Sequence, residues 1–188
     1  MKFTPLPVQG AFVVDLERRE DHRGFFARIF CVNEFKAHGL VADIVQINMS
    51  FNHKAGTVRG LHYQIEPAPE AKFIRCVHGA VFDVMVDLRP DSPTYLRWCG
   101  VELTDENRRA VFVPPLCLHG YQALTDGATV IYSASAPYTP SAERGFRPDD
   151  PAFAIQWPLP IGELSEKEKA WPLFSSLTYP TEGHDDHR

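Results

Sequence analysis

Three side chains of different chemistry stand on short apolar runs and could together move a proton. His62 lies in "RGLHYQ", Lys72 in "AKFIR" and Tyr132 in "VIYSAS". An imidazole titrates near neutrality and can act as a general base. An ammonium ion can stabilise a developing oxyanion, and a phenol can return a proton. Together these groups suit proton abstraction next to a carbonyl group, although each alone is more often structural.

A metal site is the competing interpretation of His62. Residues i and i+2 of a strand share one face, so His-x-His is an efficient ligand pair. Here Gln64 occupies the second position, and His119 in "CLHGYQ" is the one further histidine that could assist. Two histidines without a nearby carboxylate motif fall short of a facial triad. The sequence therefore favours acid–base chemistry without a metal.

Composition limits the class of protein. The 188 residues favour one domain over 1–188, with 44% hydrophobic and 23% charged residues. A net charge of −5 gives no reason to expect a nucleic-acid partner. No apolar run has the length of a membrane span, and the first residues lack the apolar core of a signal peptide. Four widely spaced cysteines without a CxxC pair indicate reduced thiols, and we expect a cytoplasmic protein.

The elements that must position these side chains are mostly strands. In "AVFDVMVDLR", Phe82, Val84, Val86 and Leu88 alternate with Asp83, Met85 and Asp87. Similar short runs are separated by turn sequences such as "HKAG", "RPDSPT", "TDENRR" and "TDG". Many short strands at this spacing predict a mainly β protein, a sandwich or a barrel with few helices.

Two short helices interrupt the strands. "VNEFKAHGL" predicts one helix, capped by Asn33 and ended by Gly39, and "GELSEKEKAWP" predicts another that begins at Ser165. The proline-rich segment between residues 137 and 160 is expected to wrap over the barrel mouth. The last ten or so residues are expected to be disordered.

The chain resembles the dTDP-4-dehydrorhamnose 3,5-epimerase family. The matching stretches include "DHRGFFARIF", "RGLHYQ", "DLRPDSPT", "VPPLCLHGY" and "IQWP", in the family's order over nearly the whole chain. The resemblance implies a cupin-type jelly roll, a homodimer and a nucleotide-diphosphate sugar as substrate. It also implies inversion of stereocentres beside the 4-keto group of a deoxyhexose, with no cofactor.

The resemblance also implies roles for individual residues. His62 matches the family's base, Tyr132 its acid and Lys72 the lysine near the keto oxygen. Ten further residues match substrate-binding positions of the family: Arg23, Phe26, Arg28, Gln46, Asn48, Arg59, His119, Tyr138, Glu143 and Lys167. Phe26 lies in a segment that in the family reaches the neighbouring subunit.

This chain departs from the family pattern in three places. Arg28 stands where the family has glutamate, so nucleotide recognition is expected to differ. Glu168 replaces the aspartate that usually partners the catalytic histidine, and Asp83 is the alternative partner of His62. The loop before "VRG" is one residue longer, which makes the alignment of Gln46 and Asn48 less secure.

Other functions remain open from the sequence. An epimerase could invert only C3 or only C5, or could act on another nucleotide or a heptose. A sugar ketoisomerase of related fold would not need the acid Tyr132. A sugar-binding cupin without turnover would have no reason to keep His62, Lys72 and Tyr132 together, and a cupin oxygenase would need the missing second histidine.

Overall fold

The computed structural model describes residues 1–174 of the chain. The expected disorder of the last residues lies outside this range. The described residues form thirteen strands and two short helices: β1 Lys2–Pro5, β2 Phe12–Asp15, β3 Arg19–Asp21, β4 Gly24–Phe26, α1 Val32–Ala37, β5 Gln46–Phe51, β6 Val58–Gln64, β7 Lys72–His78, β8 Ala80–Asp87, β9 Trp98–Thr104, β10 Ala110–Val113, β11 Cys117–Ala123, β12 Thr129–Ala134, β13 Glu143–Gly145 and α2 Glu166–Lys169.

Two antiparallel sheets carry most of these strands. The first has six strands in the order β1-β2-β10-β7-β12-β5, and the second has five in the order β13-β6-β11-β8-β9. The strands β3 and β4 form a separate hairpin. Neighbours in each sheet are mostly distant in sequence, as in a jelly roll. The predicted mainly β, cupin-type fold is confirmed.

The main core lies between the inner faces of the two sheets. Ile74 of β7 and Val130 of β12 come from the six-stranded sheet, and Met85 of β8 comes from the other. The alternation predicted for β8 is present, because Met85 points into this core while Val86 packs on the opposite face. Both faces of the five-stranded sheet are therefore covered, which explains why its central strands β8 and β11 are buried almost throughout.

The C-terminal third covers the outer face of the five-stranded sheet. Phe146, Phe153 and Trp157 pack there against Leu61 and Val86. The sequence predicts that this segment wraps over the barrel mouth. In the structure, its later aromatic side chains bury the outward-facing apolar row, while Tyr138 and Glu143 at its start line the cavity, where Glu143 pairs with Lys167 of α2.

Of the predicted helix ends, the start of α1 differs from the structure. The N-cap of α1 is Cys31, without a side-chain cap bond, so the predicted Asn33 cap is wrong. Gly39, at φ +70°, follows the helix and donates its N–H to Lys36 O. Ser165 caps α2 in a reciprocal capping box with Glu168, as predicted. No helix of the described residues is long and apolar enough to cross a membrane.

The side chains of the signature "DLRPDSPT" hold the turn between β8 and β9 together through hydrogen bonds. The fully buried Asp87 carboxylate accepts hydrogen bonds from Arg89 Nε and Nη2, both at 2.8 Å. Ser92 and Thr94 donate their hydroxyl groups to Asp87 Oδ2 at 2.5 and 2.6 Å. Burial alone would raise the pKa of Asp87, but these donors outweigh it and hold the pKa at about 2.

We expect Asp87→Asn to lower the free energy of unfolding by roughly 2 kcal/mol at pH 7. A carboxyl group with a depressed pKa stabilises the fold above about pH 4, and this contribution is lost as the pH falls towards 2. Denaturant unfolding between pH 7 and 2 should therefore show a steeper loss in the wild type than in Asp87→Asn.

The matched control is Asp91→Asn, which removes an exposed carboxylate from the same turn. It should follow the wild-type pH profile. Parallel pH profiles for wild type and Asp87→Asn would contradict the role given to this carboxylate.

Candidate active site

A cavity of about 340 Å³ opens between the two sheets. This volume lies in the usual range for small-molecule sites. Nine residues line it: Gln46, Asn48, His62, Gln64, Glu70, Lys72, Tyr132, Tyr138 and Glu143. The cavity thus brings together His62, Lys72 and Tyr132, the three candidates for proton transfer that the sequence indicates.

The six-stranded sheet supplies one wall. Tyr132 of β12 stands opposite Ile74 of β7 and opposite Asn48 of β5. Because paired residues share a face and Ile74 is a core residue, Tyr132 and Asn48 point inward as well. Two residues along, Lys72 and Gln46 both pair with Ala134. The acid and the cation therefore project from the same wall.

The five-stranded sheet supplies the facing wall. His62 of β6 pairs with His119 of β11 on one side and with Gly145 of β13 on the other. Glu143 pairs with Gln64, and both line the cavity. The candidate base thus stands on one sheet and the candidate acid on the other, so a ligand between them would meet the two groups from opposite sides.

An extra residue in β6 brings Arg59 onto the same face as His62. His119 pairs with His62, but Tyr121, two residues further on, pairs with Arg59, three residues back. This register shift is a β-bulge. In a regular strand, side chains three positions apart point to opposite faces. The bulge therefore lets a guanidinium group and an imidazole share one face of one short strand.

Gly60 makes the bulge possible. Its φ is +108°, a region that residues with a side chain rarely adopt. A Cβ there would also lie 2.6 Å from His119 O and 2.7 Å from the Gly120 Cα atom. An isolated glycine within a strand pattern is a known sign of a bulge, and it is the one sequence signal for this feature.

Glu168 binds the backbone of the bulge. Its Oε1 accepts a hydrogen bond from Gly60 N at 2.8 Å, while its Oε2 accepts from Ser165 N at 2.7 Å. The carboxylate thus ties α2 to β6. Among the described residues it has no hydrogen bond to His62, so the expectation that it orients His62 directly is not met.

Asp83 is also committed elsewhere. Both of its oxygens accept from His119 Nε2, at 3.1 and 3.0 Å, and the pair is buried. Since β11 lies between β6 and β8, Asp83 is two strands away from His62. Its expected role as the partner of His62 is therefore corrected: Asp83 fixes the ring of His119, the neighbour of His62.

The electrostatic environment suits His62 and Tyr132 to opposite roles. Burial, followed by the charges of Lys72, His119 and Lys167, lowers the pKa of His62 well below its usual value. Burial, followed by the negative charge of Glu70, raises the pKa of Tyr132. Near neutral pH the imidazole is thus free to accept a proton and the phenol keeps one to donate.

The rim of the cavity carries an aromatic ring between charges. Glu143 Oε2 accepts a hydrogen bond from Tyr138 at 2.8 Å and also pairs with Lys167. The Lys167 ammonium ion lies 5.8 Å from the centre of the Tyr138 ring. The predicted trio Tyr138, Glu143 and Lys167 is thus together, and its exposed ring could stack on a flat ligand group.

Arg59 is exposed and does not line the cavity, but two residues that the sequence did not single out hold its side chain. Its Nε donates to Asn52 Oδ1 at 2.8 Å, and its Nη2 donates to Phe51 O at 3.0 Å. The fully buried Asn52 in turn contacts Tyr121, whose hydroxyl group also pairs with Ser50. A buried polar network of this kind fixes the direction of a charged side chain.

Gln64, which occupies the position of a second histidine ligand, uses its side chain in hydrogen bonds to the backbone. Its amide nitrogen donates to Ala68 O at 2.9 Å and to Pro137 O at 3.1 Å, and its oxygen accepts from Thr139 N at 2.6 Å. These bonds join the two loops beside the cavity. In residues 1–174 no group of three or more His, Cys, Asp or Glu side chains is placed to hold a metal ion.

Six of the ten predicted substrate-binding residues are not among those that line this cavity, namely Arg23, Phe26, Arg28, Arg59, His119 and Lys167. Arg23, Phe26 and Arg28 belong to the β3–β4 hairpin or follow it, and none of them lines the cavity of its own chain. Phe26 is 71% exposed. Arg23 pairs with Asp21, and Arg28 pairs with Glu34 at 3.0 Å.

A cupin-type cavity with a candidate base and a candidate acid on facing walls fits an epimerase, and known proteins agree with this class. The chain belongs to the dTDP-4-dehydrorhamnose 3,5-epimerase family, whose model matches residues 5–176. A Sinorhizobium fredii enzyme of that name is 38% identical over 178 residues, which cover 94% of this chain and 91% of the relative.

Solved structures show the same relationship. The dTDP-4-dehydrorhamnose 3,5-epimerase of Elizabethkingia anophelis has a TM-score of 0.91 and 32% identity, with 95% of this chain and 99% of that chain covered. ChmJ, a 3'-monoepimerase from Streptomyces bikiniensis in complex with dTDP-quinovose, has a TM-score of 0.83 and 35% identity, with 91% and 87% covered.

We expect Glu168→Ala to lower kcat/KM by about tenfold or more, because a hydrogen bond to a charged group is worth roughly 1.5–3 kcal/mol. The loss should come from a displaced bulge, so Arg59 and His62 would no longer be held on one face. Steady-state turnover of a 4-keto nucleotide sugar measures it, and thermal unfolding reports any loss of fold.

Glu166→Ala is the matched control, since it removes an exposed glutamate from the same helix turn, whose side chain pairs with Lys169 and with no other of the described residues. Wild-type kinetics in Glu168→Ala would show that the contact with Gly60 has no part in the site.

Proposed function

We propose that this chain is an epimerase of a nucleotide-linked 4-keto-6-deoxyhexose and that residues 1–188 form one domain. The observation that carries the proposal is the placement of His62 and Tyr132 on facing sheets of one cavity. Inversion needs a proton to leave one face of a carbon and to return on the other. A binding protein without turnover would not need that pair.

In the proposed reaction, the neutral imidazole of His62 removes the proton from the carbon next to the keto group. The electron pair of the C–H bond moves into an enolate, whose oxygen is held by the ammonium ion of Lys72. The phenol of Tyr132 then gives its proton to the opposite face of the same carbon. His62 releases its proton to solvent and Tyr132 regains one, so no electron acceptor or metal is required.

The polar neighbours have supporting roles in this proposal. Arg59, directed by Asn52, and His119, fixed by Asp83, bind the sugar or the enolate oxygen. Gln46 and Asn48 contact the ligand from the wall of Tyr132. At the rim, the Tyr138 ring stacks on the nucleotide base, while Lys167 and Glu143 bind the diphosphate and the sugar hydroxyls. A cytoplasmic location, where the four unpaired cysteines stay reduced, belongs to the same proposal.

The number of inverted centres follows from where exchange occurs. The relatives include both 3,5-epimerases and a 3'-monoepimerase. Deuterium at C3 alone would define a 3-epimerase, and deuterium at C3 and C5 would define a 3,5-epimerase.

The substrate site is proposed to be completed by a second copy of the chain. The outer face of β5 exposes Ile47, Met49 and Phe51, which are 65%, 67% and 51% exposed. An apolar row on an edge strand is typical of an association surface. Because Arg23 and Phe26 lie outside the cavity of their own chain, we propose that they reach the partner's cavity in a homodimer.

Arg28 belongs to the same proposed contact. Its bond to Glu34 uses only part of the five N–H donors of a guanidinium group. A guanidinium group prefers phosphate or a base carbonyl, whereas glutamate accepts hydrogen bonds. We propose that the exchange to Arg28 moves the nucleotide preference or strengthens the hold on the diphosphate.

The first test uses dTDP-4-keto-6-deoxyglucose in D2O with a chelator present. The wild type should place deuterium next to the keto group and invert that centre, as read by NMR. His62→Ala should lose exchange by about 10²–10⁴-fold. Because the pKa of His62 is lowered, the acid limb of kcat/KM should lie below pH 6.5.

The control is His53→Ala, which removes an exposed histidine outside the cavity lining. Undiminished exchange in His62→Ala would remove the proposed base. Loss of exchange on chelation, restored by one divalent ion, would replace the mechanism by a metal-dependent one.

The second test mixes two inactive variants. If each site combines His62 of one subunit with Arg23 of the other, mixed dimers of His62→Ala and Arg23→Glu contain one native site of two. Random mixing should then restore about a quarter of wild-type activity. Light scattering gives the oligomeric state of the same samples.

Activity in the mixture equal to the average of the two separate variants would contradict a site shared between subunits. So would a fully active Arg23→Glu variant on its own.

A further inference from the structure

Glu70 forms an ion pair with Lys72 inside the cavity. Its Oε1 lies 3.1 Å from Lys72 Nζ, and the two side chains are only 9% and 5% exposed. Glu70 lines the same cavity as His62 and Tyr132. The residue stands two positions before the lysine in a loop, where sequence periodicity gives no sign of its direction.

The loop that carries Glu70 is fixed on both sides. Gln64 donates to Ala68 O at 2.9 Å, and Ser135 accepts from Ala71 N at 2.8 Å. The carboxylate is therefore held beside Lys72. A buried ion pair is a poor device for stability, because removing two charges from water offsets much of their attraction. Its position within the cavity points to recognition of a ligand.

The pair offers a donor next to an acceptor. Neither the Lys72 ammonium ion nor the Glu70 carboxylate has a hydrogen bond to any other of the described residues. An ammonium ion only donates, and an ionised carboxylate only accepts. A ketone with a hydroxyl group on the adjacent carbon presents the complementary order, since the keto oxygen accepts and the hydroxyl group donates.

We propose that Glu70 is a specificity-determining residue that accepts a hydrogen bond from the hydroxyl group next to the keto group, while Lys72 donates to the keto oxygen. The inference rests on the proposed epimerase function and deepens it, because it defines the substrate class as α-hydroxy ketone sugars. Holding the hydroxyl group also fixes which face of that carbon is presented to His62.

The test compares two substrates in the same protein sample. One is dTDP-4-keto-6-deoxyglucose and the other is its 3-deoxy analogue, which keeps the keto group and a C–H bond next to it. For each, proton exchange in D2O gives kcat/KM, and the discrimination ratio between the two substrates does not depend on the fraction of protein that folds. Any general effect on Lys72 or on stability cancels in this ratio.

The wild type should prefer the hydroxylated sugar by on the order of 10–100-fold, the value of a hydrogen bond to a charged group. Glu70→Ala should reduce this preference to within about threefold of unity. Glu70→Gln keeps an acceptor oxygen without the charge and should fall between the two. Glu66→Gln removes an exposed carboxylate from the same loop and should keep the wild-type ratio.

The outcomes separate this inference from the proposed function. A wild type that discriminates, together with a Glu70→Ala variant that keeps the full ratio, overturns the role of Glu70 and leaves the epimerase intact. A wild type that exchanges both sugars equally well would also overturn the role of Glu70 and leave the epimerase function intact. A wild type that exchanges neither sugar overturns the proposed function, and the inference falls with it.

Discussion

The bulge at Gly60 is the constraint on which the site depends. One extra residue in β6 changes the register with β11, so that Arg59 and His62 share one face of the strand. The bulge frees one backbone N–H from the ladder, and the carboxylate of Glu168 accepts it. A short C-terminal helix that is remote in sequence thereby determines the direction of two side chains near the middle of the chain.

The two-sheet architecture gives this local feature its chemical meaning. Both walls of the cavity are strands, in which side chains two residues apart share a face, and the bulge in β6 is the local exception. His62 projects from one wall, and Tyr132 with Lys72 from the other. The aromatic C-terminal segment seals the outer face of the five-stranded sheet, so this sheet can carry the buried polar pair Asp83–His119 on its inner face.

Much of this arrangement follows from the sequence alone. The alternation in β8 and the cap at Ser165 are local patterns, and local patterns predict direction and helix start. The partners of Asp83 and Glu168 depend on strand order, which no local pattern contains. The bulge depends on one glycine, and Glu70 lies in a loop without periodicity. The β3–β4 hairpin carries Arg23 and Phe26, and the ligand proposed for these side chains is bound in the cavity of another subunit.

The Tyr132→Phe variant tests directly whether His62 removes a proton from one face of the carbon and Tyr132 returns one to the other. Deuterium wash-in and inversion at the carbon next to the keto group should be followed together by NMR in D2O. The variant should still exchange this proton through His62, while inversion should fall by about 10²-fold or more. Exchange and inversion that fall by the same factor, or that both persist at the wild-type rate, would contradict the assignment.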